Sequence, residues 1–173
     1  MNSTVIRVAQ TVGITSSALI AGSLMSISLI GVPAIMEAPG PLLLHQWHAM
    51  YTRGKNNMPK IAAVSLLCHG YVTYAAYNSK VIPLRQKWPI FALGGLSTIA
   101  IIPFTFAVMH QTNQQLLRKE EASRGVSKTD DMVQAGLNDE AVRPLVDRWG
   151  IMNLVRGSLP AIGALAACWA ALV

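Results

Sequence analysis

The sequence predicts an all-α integral membrane protein, a four-helix bundle with a short amphipathic helical segment in its third connection. Three observations lead there. Of 173 residues, 52% are hydrophobic and only 13% charged, roughly half the charged share of an average soluble domain. Charge is absent from residues 8–36, 61–79, 88–117 and 157–173, and a helix of about 20 apolar residues crosses a hydrocarbon core. The 14 Lys and Arg residues behind the net charge of +6 are scattered among the polar connections and form no basic run. They therefore bear on membrane topology and do not suggest a nucleic-acid partner.

The chain reads as one domain, residues 1–173, with spans near 8–36, 58–79, 88–110 and 149–173. The first span competes with a signal peptide, but its uncharged stretch exceeds an h-region of about 7–15 residues and no clear small-residue cleavage site ends it. It is read as a retained helix. Gly22, Ser23, Gly94, Gly95, Gly163, Ala166 and Ala167 let helix backbones approach closely, as packing within lipid requires. Pro33, Pro103 and Pro160 each free a carbonyl and kink a span.

Four spans put the connections 37–60 and 110–148 on one membrane face, and the short second connection and both termini on the other. Arg53, Lys55, Lys60, Arg118, Lys119, Arg124, Lys128, Arg143 and Arg148 lie on the first face, against Arg7, Lys80, Arg85 and Lys87 on the second. The positive-inside rule then makes the first and third connections cytosolic. Within the third, Ser127-Lys128-Thr129-Asp130 resembles a helix N-terminal cap, and Met132, Val133, Leu137, Val142, Leu145 and Val146 recur at roughly helical spacing.

Candidate chemistry gathers on that same face. Between Leu44 and Pro59 stand His45, Trp47, His48, Tyr51, Arg53 and Lys55, flanked by two strongly apolar stretches. A dense polar cluster beside a bilayer is costly, and either marks a ligand site or serves as a solvated loop that sets topology. Trp149, Asn153 and Arg156 stand at i, i+4 and i+7, sharing one helix face. An indole N–H, an amide and a guanidinium aimed inward form a donor array suited to an anionic oxygen, whereas a lipid-facing set would be snorkelling and belt residues. His110 and Asn113 end the third span one turn apart, while His69 lies inside the second span beside Cys68.

A histidine near neutral pKa can act as a general base toward a weakly acidic carbon. The competing use is a copper or iron site built from His45, His48 and His110. Cys68 and Cys168 form no C-x-x-C and no metal spacing, and they read as small buried hydrophobes. There is no G-x-S-x-G, G-x-x-x-x-G-K, G-x-G-x-x-G or H-E-x-x-H, so hydrolase, nucleotide-dependent and metalloprotease readings lose their usual warrants.

Three segments resemble the anthrone oxygenase-like family of small four-helix membrane proteins: W-H-A-M-Y-T-R-G-K-N-N-M-P-K-I-A at Trp47–Ala62, I-P-F-T-F-A-V-M-H-Q-T-N-Q-Q-L-L at Ile102–Leu117, and W-G-I-M-N-L-V-R-G-S-L-P at Trp149–Pro160. The family pattern falls on Tyr51, Arg53, Gly54, Lys55, Pro103, Thr105, Asn113, Trp149, Asn153 and Arg156. The resemblance implies a membrane monooxygenase that oxidises an anthrone-type polyketide to the anthraquinone with O2 and no added cofactor. It also implies a fungal endomembrane, the endoplasmic reticulum, as the setting.

Such a reaction needs a base, an oxyanion clamp and an apolar pocket. His48, or else His110, is the expected base. Arg53, Lys55, Asn113, Asn153 and Arg156 are the expected clamp, and Trp47, Tyr51, Thr105 and Trp149 the expected substrate contacts. A metal-dependent membrane oxidoreductase and a non-catalytic membrane partner of a biosynthetic pathway stand as alternatives, and a homo-oligomer is left open.

Overall fold

The computed structural model describes residues 3–124 and 139–173, which are helical apart from short turns and contain no strand. The chain forms four long helices: α1 (Ser3–Ile35), α2 (Gly40–Tyr77), α3 (Ile82–Ser123) and α4 (Asp139–Leu172). Around the bundle, α1 and α3 each pack against both α2 and α4, and the diagonal pairs touch little. This is the up-down arrangement expected of an all-α membrane bundle. Helices α1, α3 and α4 are long and apolar enough to cross a membrane. Helix α2 is not among them, because its inner half carries Ser65, His69, Thr73 and three tyrosines, Tyr71, Tyr74 and Tyr77.

The Leu44 to Pro59 segment, read from sequence as part of a connection, is helical. It belongs to α2, which starts behind the extended Pro39 and runs unbroken for 38 residues, about 57 Å at 1.5 Å per residue. That is almost twice a hydrocarbon core of about 30 Å. The polar half of α2 therefore continues the bundle beyond the apolar spans into a head.

Three buried clusters stack along the bundle. The head core is Val32, Leu43, Leu44, Trp47, Met109, Leu116, Val142, Val146, Trp149 and Met152. Ile20, Leu24, Ala62 and Ile101 fill the middle, and Val72, Ala76, Phe91, Ala167 and Ala170 fill the far end. Arg143 ties the head together by donating to the Met36 and Ala38 carbonyls of the α1–α2 turn. Of the amphipathic pattern expected in the third connection, Val142, Leu145 and Val146 lie in the first turns of α4. The proposed cap at Ser127–Asp130, with Met132, Val133 and Leu137, lies outside the described residues.

Packing below the head follows the small residues. A Cβ on Gly163 would stand 2.8 Å from the Gly94 carbonyl oxygen, and one on Gly94 would stand 2.9 Å from the His69 ring. Buried hydroxyls close the same region: Ser17 Oγ lies 2.7 Å from Ser65 Oγ, 2.9 Å from Thr98 Oγ1 and 3.3 Å from His69 Nε2. His69 is thus bonded to α1 through Ser17, whose hydroxyl also joins α2 and α3, as interhelical polar groups are where water is absent. Both cysteines are free.

Two π-helical turns interrupt the regular helices, Ile27–Gly31 in α1 and Thr105–Met109 in α3. Each lies close to a proline, Pro33 or Pro103, whose ring excludes the i−4 carbonyl from the normal ladder. Such turns frequently accompany functional sites.

Replacing Gly163 with Val should lower the melting temperature in detergent by the equivalent of about 1–3 kcal/mol of overpacking. Gly22→Ala, whose added Cβ meets nothing within 4 Å, should leave it unchanged. Equal melting temperatures for the two variants would contradict the packing described.

Candidate active site

A cavity of about 670 Å³ opens between the middle cluster and the head, within the usual range for small-molecule sites of about 300–1,000 Å³. Helical periodicity decides which side chains face it. On α2, Tyr51, Gly54, Lys55, Met58 and Ala62 recur every three or four residues and line it. Arg53, on the opposite side of the helix from Tyr51, is exposed and does not. On α3 the lining includes Ile101, Ile102, Thr105, Phe106, His110 and Asn113, and on α4 it is Trp149, Asn153 and Arg156. Both π turns contribute, through Ile27 and through Thr105 and Phe106.

Hydrogen bonds fix the orientation of both asparagines. Trp149 Nε1, which can only donate, gives its hydrogen to Asn113 Oδ1 at 2.9 Å. Asn113 is thereby held with its amide nitrogen free as a donor beside the cavity. Asn153 is reversed: its Nδ2 donates to the Leu24 carbonyl and to Ser28 Oγ, both at 2.9 Å, and its Oδ1 accepts from Arg156 Nη2 at 2.5 Å. Its donors are therefore committed to α1, and it acts by positioning Arg156.

Arg156 Nη1 donates to Thr105 Oγ1 at 3.2 Å, while Thr105 Oγ1 donates to the Ile101 carbonyl at 2.6 Å. The guanidinium is thus held from two sides by neutral oxygens, and its buried Nε has no partner. Among the described residues no carboxylate pairs with it. The buried acid of the head, Glu120, is engaged by Arg124 at 2.9 Å and faces His48 at 3.9 Å. A cation drawn out of water without a counter-ion is costly, and an anion bound beside it relieves that cost. The cavity thus sets a half-buried cation and its hydrogen-bonding neighbours against apolar walls, among them Leu24, Met58 and Ile101.

The expected site residues divide accordingly. Tyr51, Lys55, Thr105, His110, Asn113, Trp149, Asn153 and Arg156 come together around the cavity, whereas His45, Trp47, His48 and Arg53 do not line it. Trp47 lies behind the wall, stacked on Tyr51 at 5.1 Å and edge-on to Trp149 at 5.8 Å. His48 turns instead toward Thr52 and Glu120. His45, His48 and His110 do not form the alternative metal trio. Among the described residues no three His, Cys, Asp or Glu side chains are grouped to hold an ion, because His48 faces Glu120 and His110 faces the cavity. Sequence reading missed Ser28, the anchor of Asn153, and the apolar floor. Ser28 had no signal beyond being a hydroxyl in an uncharged span.

This fold and site define a class: a small helical bundle with membrane-spanning character, whose cavity joins a cationic, hydrogen-bonding end to an apolar body. The family model for anthrone oxygenase matches residues 47–166, and the chain belongs to that family, which makes it an enzyme of the monooxygenase type. It is 30% identical over 153 residues to an anthrone oxygenase of Aspergillus novofumigatus, covering 87% of this chain and 85% of that one. It is likewise 30% identical over 179 residues to the anthrone oxygenase of Emericella nidulans, covering 88% and 91%. A noranthrone monooxygenase of Aspergillus flavus is 26% identical over 159 residues, covering 89% and 69%. No solved structure gives a significant match.

Asn153→Asp keeps an acceptor for Arg156 while supplying the missing negative charge. It should weaken binding of an ionised hydroxynaphthoquinone, followed by tryptophan quenching, about 10- to 100-fold, in line with losing one charge-assisted contact. Unchanged affinity would show that Arg156 does not hold an anion there.

Proposed function

We propose that the cavity binds an anthrone-type polyketide and that the chain oxidises it to the anthraquinone with O2, using His110 as base and Arg156 as principal anion clamp. The observation carrying this reading is the half-buried guanidinium, without a carboxylate partner among the described residues, in a cavity whose walls are largely apolar. Family membership and the relatives' names support the substrate class.

An anthrone carries a carbonyl on its central ring and an acidic CH2 opposite. His110 removes one of those protons, and negative charge moves to the carbonyl oxygen. Arg156, with the Asn113 amide and Lys55, stabilises that oxyanion, lowering the barrier through donors already in place. The electron-rich enolate passes one electron to O2, and the resulting radical and superoxide combine at the deprotonated carbon. The peroxide so formed takes the proton back from the imidazolium. Loss of the remaining C–H proton to the base, with cleavage of the O–O bond, forms the second carbonyl and releases water. One anthrone and one O2 give one anthraquinone and one H2O, and no external reductant is needed. Tyr51 and Trp149 flank the flat ring system.

Of the two histidines the sequence offers, His110 is the proposed base because it lines the cavity while His48 faces Glu120. His110→Ala should lower O2 consumption and anthraquinone formation by isolated membranes about 10²- to 10⁴-fold, the usual worth of a positioned base. His48→Ala should retain most activity. The reverse pattern would overturn the assignment.

A further inference from the structure

The seam between α2 and α3 is not closed along its length. Trp88–Ile99 packs on α2 below the cavity, and His110–Ser123 packs on it above. Between them, Ile101–Met109 makes its close contacts with α4 and at most isolated ones with α2. Helix α3 thus leans away from α2 at cavity level. The regular helix breaks at Ala100, Pro103 follows, and the π turn Thr105–Met109 completes the displacement.

The residues framing this gap are all apolar. Ala63 and Leu66 stand on α2, and Ile102 and Phe106 stand one turn apart on α3. All four line the cavity and are also exposed on the outer face of the bundle, the Phe106 ring by 70%. They lie in stretches without charge, at the level expected of the hydrocarbon core, whereas the exposed polar lining residues Lys55, His110 and Gln114 stand at the head. The cavity therefore has a polar rim toward water and a separate apolar window toward lipid.

We propose that this window admits the flat aromatic substrate laterally from the bilayer, with Phe106 and the facing Ala63 setting which ring systems pass. A polycyclic aromatic partitions strongly into lipid at about 25 cal/mol per Å² of apolar surface, so the membrane holds nearly all of it. Lateral passage lets the ring system remain in apolar surroundings until its oxygen meets Arg156. This inference rests on the cavity being the anthrone site.

The test uses the full-length protein in vesicles. Ala63→Trp should lower kcat/KM for a bilayer-carried anthrone about tenfold, whereas Leu67→Trp, which adds the same ring on the lipid face away from the cavity, should match wild type. Ala63→Trp behaving like Leu67→Trp would overturn lateral admission. Absence of anthrone turnover by wild type would instead defeat the underlying functional reading.

Discussion

The Arg156 guanidinium, half-buried in a largely apolar cavity with no carboxylate beside it among the described residues, is the constraint around which the rest of the site is arranged. It cannot be deprotonated readily, and removing a charge from water costs several kcal/mol unless something compensates. The fold meets that cost only in part, through Asn153 Oδ1 and Thr105 Oγ1. Each partner is itself held: Asn153 by Leu24 and Ser28 of α1, and Thr105 by the Ile101 carbonyl of its own helix, just past the break in α3. The remaining capacity is directed at whatever enters the cavity. A neutral ligand that becomes an anion during reaction suits this arrangement, since its charge develops where donors already stand.

The two π turns and their prolines acquire a common meaning in that light. One carries Ile27 into the cavity beside the Asn153 anchor, and the other carries Thr105 and Phe106. Regular helices in both places would pack more evenly against their neighbours and leave less space between the middle and head clusters. The polar network of Ser17, Ser65, His69 and Thr98 and the glycine contacts at Gly94 and Gly163 hold the far end tightly.

Much of this was legible in the sequence, for physical reasons. Trp149, Asn153 and Arg156 share a face because a helix repeats every 3.6 residues, and all three line the cavity. Charge-free stretches marked the apolar helices, and α1, α3 and α4 have the length and apolarity to cross a membrane. The Leu44 to Pro59 segment was recognised as chemical but not as helical, because its Gly, Pro and Asn content imitates a loop. That misreading concealed the periodicity separating inward Tyr51 and Lys55 from outward Arg53. The partnership of His48 with Glu120 and the anchoring of Asn153 by Ser28 join distant parts of the chain, and nothing local signals them.

The most direct test of the account is the ionisation state of a bound ring oxygen. A hydroxyanthraquinone absorbs at longer wavelength when its hydroxyl is ionised, so a pH titration of the bound chromophore reports the field it experiences. If Arg156 provides an anion seat, the bound chromophore should ionise at a lower pH than the free one, and Arg156→Gln should abolish the difference. A bound chromophore that titrates like the free one in the wild-type protein would contradict the account.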